Sequence, residues 1–457
     1  MMLHAPVRWI ARRCLGWFYR ERRFVGLEHV PADGPVLLIG NHPNDIPDVL
    51  CGYLTTPRRV LYVATVAGAT SKISRAMYRG LGVIPVARVR DARKMREQGL
   101  DAAATNAAAF SRVVALLRAG EIVGVFPEGG VHEGPSLGNF RAGVAKMALD
   151  CIVDGTSNGL KIVIFGVQYD AARTARSDVT IIVAEPFVLD DWVAEHTTVH
   201  VNVALALRHR MRTALLTVTR NSSSWEAASE RDRVTAVIGA LESGGAASPL
   251  VSAARVQATC AIVSDAADWR DSALRPLVDE IATAVSRAGG IATSSRDCAG
   301  ICAACGVQQV TSAWPSPLLL RLTAPFGLLG LMVHGPILVA IWRLAKRSTK
   351  DRTEWVARAF VPGLYLMLLW YVVLGSMFAV GLHASAHSAW LAVPAVMLLP
   401  RLGDFAVTWR DAVNAERIRR RVMRWSSADR AAVCTTASAL RAAWHSYQTS
   451  SVVKASV

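Results

Sequence analysis

Residues 36–48 read VLLIGNHPNDIPD. Val36–Ile39 is a four-residue apolar run, consistent with a buried strand. His42 follows that strand directly, at the position where α/β domains place reactive groups. Pro47 is preset for a helix start, so Asp48 falls in the first turn of the next helix. From there a carboxylate can reach back to the imidazole, fix its tautomer and leave the other ring nitrogen as a base. Asp45 is the competing partner, and its spacing also suits an N-cap for the same helix.

Similar apolar runs recur outward from this stretch. Gly82–Val86, Ile122–Phe126, Lys161–Val167 and Val179–Val183 each read as a strand. Between them lie helical stretches, the clearest from Asp101 to Arg118, closed by Gly120 just past its end. Strands alternating with helices predict an α/β domain over residues 23–235, built on a mostly parallel sheet flanked by helices. Residues 236–315 are rich in Ala, Ser and Gly, with two expected helices and no assignable chemistry.

Both ends of the chain have another character. In residues 1–22, Val7, Ile10, Cys14, Trp17 and Phe18 recur at spacings of three and four with arginines between them. This fits a basic amphipathic helix in a membrane interface, or equally a helix packed on the domain behind it. Arginines interrupt the segment too early for a secretory signal. Near the other end, 322–342 is 21 residues and 359–400 is 42 residues without Asp, Glu, Lys or Arg. About 20 residues cross a bilayer, so 359–400 is expected to cross twice. His334-Gly335-Pro336 in the first run predicts a broken helix, read as a re-entrant hairpin, with a kinked crossing as the alternative. These segments define a membrane region over 316–408, followed by an Arg-rich cytosolic tail over 409–457. Residues 343–358 carry six basic against two acidic residues, and 401–425 seven against three. The positive-inside rule therefore places both flanks of 359–400, and the catalytic domain, on the cytoplasmic face of a multi-pass protein.

The full chain has 457 residues with 51 basic and 35 acidic side chains, a formal charge of +16. At about 150 residues per domain, roughly three domains are expected. With 52% hydrophobic and 19% charged residues, intrinsic disorder is excluded. Eight cysteines are too few for a disulfide scaffold in a chain of this length. A nucleic-acid partner would use the positive charge, but two of the basic stretches flank apolar runs, where membrane topology puts them. No nucleic acid is expected, and the lipid bilayer is. Cys298, Cys302 and Cys305 have a spacing that can hold an iron–sulfur cluster. They lie outside any α/β barrel pattern among abundant small residues, so the spacing is read as chance and no metal is assigned.

Further chemistry-bearing residues follow the later strands. Gly82–Arg88 delivers Arg88 at a strand end, with Pro85 within the strand. Phe126-Pro127-Glu128-Gly129-Gly130 breaks into a turn whose glycines expose N–H groups able to cradle an anion. Asn139–Gly143 places Arg141 before another helical run. Two arginines near exposed amides suit a phosphate, which a guanidinium grips through two parallel bonds. Singly, each arginine reads as a solvated surface residue.

Together these motifs resemble, in order and approximate spacing, those of the glycerolipid acyltransferase family over roughly residues 20–235. The resemblance implies that His42 and Asp48 are the catalytic dyad. It implies that Gly82–Arg88, with Pro85 and Arg88, and Phe126–Gly130, with Glu128, Gly129 and Gly130, bind the acyl acceptor, and that Ile162–Tyr169 is the fourth motif; Asn41 and Arg141 complete the candidate binding residues. Five residues separate His42 from Asp48, where the commonest form has four. The NHPN form resembles the branch of glycerol 3-phosphate and dihydroxyacetone phosphate acyltransferases. Ile164 stands where the fourth motif usually has proline, and Gly130 where the third has threonine or serine.

The expected activity is O-acyl transfer from an acyl thioester, acyl-CoA or acyl carrier protein, to a hydroxyl of glycerol 3-phosphate, dihydroxyacetone phosphate or lysophosphatidate. No cofactor beyond the co-substrate is expected, and no serine or cysteine nucleophile. A His-dependent phosphoester hydrolase would add a metal-ligand cluster that the sequence lacks. A non-catalytic membrane adaptor with a degenerate acyltransferase domain is the alternative, distinguished by transfer to no acceptor at all.

Overall fold

The computed structural model describes residues 4–65, 72–88, 92–97, 101–172, 174–196, 202–242, 269, 272–292, 294–307, 316–348, 355–384 and 392–455. It divides into two compact units, Met1–Asn221 and Ser222–Val457. The boundary expected near residue 235 instead falls inside a helix, Trp225–Glu242, that belongs to the second unit.

The first unit opens with helix α1 (His4–Phe18) and strand β1 (Arg22–Val25). Then follow β2 (Val36–Gly40), α2 (Ile46–Leu54), β3 (Val60–Thr65), α3 (Lys72–Leu81), β4 (Ile84–Val86), α4 (Ala92–Glu97), α5 (Ala102–Arg118) and β5 (Ile122–Val125). The unit continues with α6 (Gly143–Leu149), β6 (Lys161–Tyr169), β7 (Val179–Val183), β8 (Phe187–Val188), α7 (Leu189–His196) and α8 (Val203–Thr217). One sheet runs in the order β1-β7-β6-β2-β5-β3-β4, with β8 also on β6. All pairings are parallel except those of β6 with β7 and β8. This is the mostly parallel α/β sheet that the alternating pattern predicts.

The central strand β2 is buried on both faces, which is why its sequence is continuously apolar. It lies between β5 and β6, with Ile39 opposite Val125 and Gly40 opposite Phe165. The carboxyl ends of β2, β5, β6 and, through β3, β4 therefore share one edge of the sheet. Gly40 is required there: a Cβ would lie 2.3 Å from the Phe165 ring. At the end of α5, Gly120 adopts φ 82°, and Asp101 caps the helix start by accepting from Ala103 N at 2.8 Å.

The first helix ends at Phe18, short of the expected residue 22, because Arg22 already pairs with Val179 in the sheet. Asp178 fixes this turn, accepting from Arg20 at 3.2 Å and from the Glu21 N–H at 3.3 Å. Ala11 and Leu15 are fully buried, and Arg8 donates to the carbonyls of Tyr53 (2.8 Å) and Thr56. This helix is thus packed on the domain, while Trp9 is exposed with the Arg13 guanidinium over its ring.

The second unit contains α9 (Trp225–Glu242), α10 (Leu274–Arg287), α11 (Ser295–Ala304), α12 (Pro317–Leu322), α13 (Ala324–Ser348), α14 (Trp355–Ala384), α15 (Ala392–Met423) and α16 (Ser427–Ala455). Val234, Ile281, Val285 and Ile301 share one apolar core with Val422 and Leu440. The small-residue-rich region and the end of the chain therefore build a single helical body, and 409–457 is not a free tail. Cys298 and Cys302 are buried within that core.

Of the expectations about the apolar segments, one fails and one falls partly outside the described residues. The His334-Gly335-Pro336 sequence does not break the helix, since α13 runs unbroken through Pro336. Two side chains of the following helix bind this stretch. Trp370 Nε1 donates to the Val333 carbonyl at 2.8 Å, and Tyr371 meets His334 Nε2 at 3.2 Å. The second crossing expected within 359–400 falls partly on residues 385–391, which lie outside the described residues; α15 supplies 392–400 before Arg401 and then runs on as a polar helix. Among the described residues, two helices are long and apolar enough to cross a membrane. They cover Ala324–Arg347 (24 residues, mean hydropathy 1.8) and Pro362–His383 (22 residues, mean hydropathy 1.9). Leu328, Met332, Trp342, Leu369, Val372 and Met377 are exposed on them.

Candidate active site

The loop leaving β2 carries His42, and the first turn of α2 carries Asp48. Asp45 occupies the N-cap position with φ 55° but makes no side-chain cap bond. Its backbone carbonyl instead accepts from Asp48 N at 3.1 Å, bringing that residue under the loop. His42 Nδ1 lies 2.9 Å from Asp48 Oδ2. The Asp48 side chain is 0% exposed and that of His42 12%. With Nδ1–H donated to the carboxylate, the neutral imidazole carries its lone pair on Nε2. The dyad read from the sequence is assembled.

Asp48 has two other donors. Asn44 N donates to Oδ2 at 2.6 Å, and the Tyr169 hydroxyl donates to Oδ1 at 2.6 Å. A buried carboxylate held by several donors stays in one orientation. Behind the imidazole, the Phe126 ring is stacked at 4.2 Å with an interplanar angle of 11°, and Tyr62 stacks on Phe126 at 5.5 Å.

The turn after β5 closes against the same loop. Glu128 Oε1 accepts the His42 backbone N–H at 2.7 Å, and its Oε2 accepts Gly138 N–H at 2.9 Å. Burial pushes the Glu128 carboxyl up, opposed by those two N–H donors and by the charges of His132 and His42. The turn places Gly129 at φ 73°, a conformation that favours glycine. A Cβ on Gly129 would lie 3.3 Å from Arg141 Nε, and one on Gly130 3.5 Å from Arg88 Nη1. Both arginine side chains thus lie against the glycine pair, and Arg141 N donates to Pro127 O at 2.8 Å.

Two residues expected at the acceptor have other work. Asn41 is turned into the sheet, giving Nδ2 to Val167 O (3.0 Å) and taking Val167 N (2.7 Å), which ties β2 to β6. Its amide is consumed by a strand pairing. Glu128 uses both carboxylate oxygens on backbone N–H groups and so positions the His42 loop. Pro85 is exposed in β4. Sequence reasoning gave Tyr169 and Asn44 no role of their own in the site and did not foresee that Phe126 stacks on His42; a tyrosine ending a largely apolar strand was the signal available for the first.

Residues 21–170, which hold this whole arrangement, match the family model described as Acyltransferase. The chain therefore carries, over these residues, a domain similar to the Acyltransferase family. Over 122 residues it is 30% identical to glycerol-3-phosphate O-acyltransferase 2 of Saccharomyces cerevisiae. That match covers 26% of this chain and only 16% of the yeast protein. Among solved structures, the 1-acyl-sn-glycerophosphate (LPA) acyltransferase PlsC from Thermotoga maritima aligns with 14% identity and a TM-score of 0.34. It covers 47% of this chain and 78% of the other. Within the acyltransferase domain, the dyad, the Glu128 turn and both arginines fall at or beside one edge of the sheet.

Proposed function

We propose that the first unit transfers a fatty acyl group from an acyl thioester, acyl-CoA or acyl carrier protein, to a hydroxyl of a glycerol phosphate-type acceptor. The observation that carries this reading is His42 Nδ1 bound to a fully buried, triply hydrogen-bonded Asp48, with Nε2 left as the base. Nε2 takes the proton of the acceptor hydroxyl as its oxygen attacks the thioester carbonyl. Asp48 stabilises the imidazolium that forms, and the stacked Phe126 face supports the same cation. The tetrahedral intermediate collapses with loss of the thiolate, which receives the proton from the imidazolium. General-base assistance of this kind contributes roughly 10²–10⁴ in rate. Arg88 and Arg141, beside the exposed amides of Gly129–Gly130, hold the acceptor phosphate.

The apolar helices α13 and α14 are proposed to cross the bilayer as a hairpin, with the catalytic unit on the cytoplasmic face. Their exposed leucines, methionines and valines support this reading, because a water-facing surface of that size would be costly. The helical body of the second unit is built from residues both before and after the hairpin, so the number of crossings between them is even. Two crossings satisfy that requirement; a third would place the halves of one core on opposite faces.

The decisive test is a transfer assay on membranes with labelled acyl-CoA and acyl carrier protein against glycerol 3-phosphate, dihydroxyacetone phosphate and lysophosphatidate. Transfer to at least one acceptor that disappears in His42→Ala is expected. No transfer to any of them would favour a non-catalytic membrane adaptor.

A further inference from the structure

We infer that Tyr169 is a positioning residue for the dyad, setting the orientation and basicity of Asp48 from the far side of the carboxylate. The inference deepens the proposed reading and rests on it for its turnover measurement alone.

Tyr169 is the last residue of β6, while Asp48 lies 121 positions earlier in the first turn of α2. Its hydroxyl donates to Oδ1 at 2.6 Å. The other oxygen, Oδ2, is shared by the His42 ring and the Asn44 N–H. The two oxygens therefore have separate duties, one toward the base and one toward the sheet. A carboxylate with only Oδ2 held can rotate about its Cβ–Cγ bond; with Oδ1 also held, its plane is fixed. The strand that carries Tyr169 is in turn locked to the catalytic loop by the paired bonds of Asn41 with Val167.

A second layer supports the arrangement. Asn44 Nδ2 donates to the Tyr19 hydroxyl at 2.6 Å and to the Ala172 carbonyl at 2.9 Å, and Tyr19 itself donates to Ala172 O at 2.9 Å. The loop is thus held from the segment following α1 and from the segment following β6. Burial and the Asp48 charge push the Tyr169 hydroxyl well above its ordinary range, so it stays a proton donor wherever the dyad works. The other titratable groups facing the dyad are Cys51 from α2, Tyr19 from the segment following α1, Tyr62 from β3, and Glu128 and His132 from the segment after β5. Of the tyrosines, Tyr169 is the one whose hydroxyl touches the carboxylate.

Removing the Tyr169 hydroxyl makes the Asp48 carboxylate a stronger partner for the imidazolium, which raises the pH at which His42 loses its proton. If the freed carboxylate turns away, that pH falls. Either displacement supports the inference; a merely structural tyrosine would produce neither.

The test uses full-length wild type and Tyr169→Phe. The imidazole is titrated by the pH dependence of His42 carbethoxylation with diethyl pyrocarbonate, read by peptide mass spectrometry. This measurement needs no turnover, so it stands even if acyl transfer is never observed. The expected result is a midpoint moved by at least about half a pH unit. The kcat should fall roughly ten- to a hundredfold, with the acceptor KM little changed. Coincident midpoints overturn the inference, whatever happens to turnover, and so does an undiminished kcat in an active enzyme. Should Tyr169→Phe fail to fold, 3-fluorotyrosine at position 169 keeps the shape and strengthens the donor. The midpoint should then move down, and an unmoved one again overturns the inference.

Discussion

Glu128 Oε1 accepts the backbone N–H of His42 at 2.7 Å, so a residue from the turn after β5 fixes the loop that carries the base. Because Oε2 binds Gly138 N–H as well, no neutral amide can replace this side chain without leaving one N–H facing a donor. Glu128→Gln should destabilise the protein by about 1–3 kcal/mol. It should also change the pH dependence of stability. A carboxyl whose pKa is raised by folding holds its proton longer in the folded than in the unfolded state. Stability is therefore lost as pH rises from 4.5, the ordinary value, through the higher folded value. Thermal unfolding of wild type should show that decline, and the Gln variant should lack it.

Asp48→Asn keeps the size of the side chain but removes the charge that stabilises the imidazolium. The kcat should drop roughly 10²–10⁴-fold with donor and acceptor KM nearly constant, read from initial rates with labelled thioester. A variant that retained full turnover would show that the 2.9 Å contact is structural.

Arg88→Ala and Arg141→Ala should each raise the acceptor KM roughly tenfold while leaving the donor KM alone, because a charge-assisted bond contributes about 1.5–3 kcal/mol. Substrates differing only in the phosphate provide the check: the penalty should vanish for an acceptor that lacks it. An unchanged acceptor KM in both variants would remove the phosphate role.

Tyr62 is buried in β3, and among the described residues its hydroxyl has no hydrogen-bond partner. The ring fills the space left by two glycines, since a Cβ on Gly52 would lie 1.8 Å from the hydroxyl and one on Gly124 2.4 Å from the ring edge. Tyr62→Phe keeps the stack with Phe126 and removes the buried orphan. The variant should be more stable by about 1 kcal/mol in denaturant titrations. A loss of stability would mean that the oxygen has a partner.

In the second unit, a Cβ on Gly330 would lie 2.6 Å from Ala406 Cβ and 2.8 Å from the Leu402 carbonyl. This is backbone approach of the kind that small residues allow between apolar helices. Gly330→Leu should separate α13 from α15 and lower the Tm in detergent by several degrees. Gly335→Leu, where a Cβ meets nothing within 4 Å, is the control and should leave Tm unchanged.

The contact of His42 with Asp48 was legible because it is local, with a strand end, a proline-marked helix start and six positions from His42 to Asp48. The strands β2, β5, β6 and β7 were legible because burial on both faces makes them largely apolar. The strands β1 and β8 were not, being short edge elements with Arg22 and Arg23 in one and two residues in the other. Strand β3 was hidden by Tyr62, whose ring occupies space vacated by distant glycines. The role of Glu128 could not be read from its motif, because its partners are backbone N–H groups contributed by another loop. Pro336 misled because the packing that holds this stretch helical, with Trp370 and Tyr371 bonded to Val333 and His334, comes from the following helix.

The helical body of the second unit has its halves encoded on either side of the apolar hairpin, Val234 and Ile301 before it and Val422 and Leu440 after it. During synthesis the earlier half emerges with its apolar face uncovered until Val422 and Leu440 have been made. Folding of this body is therefore a late event, and the segment before the apolar helices stays open to chaperones until then.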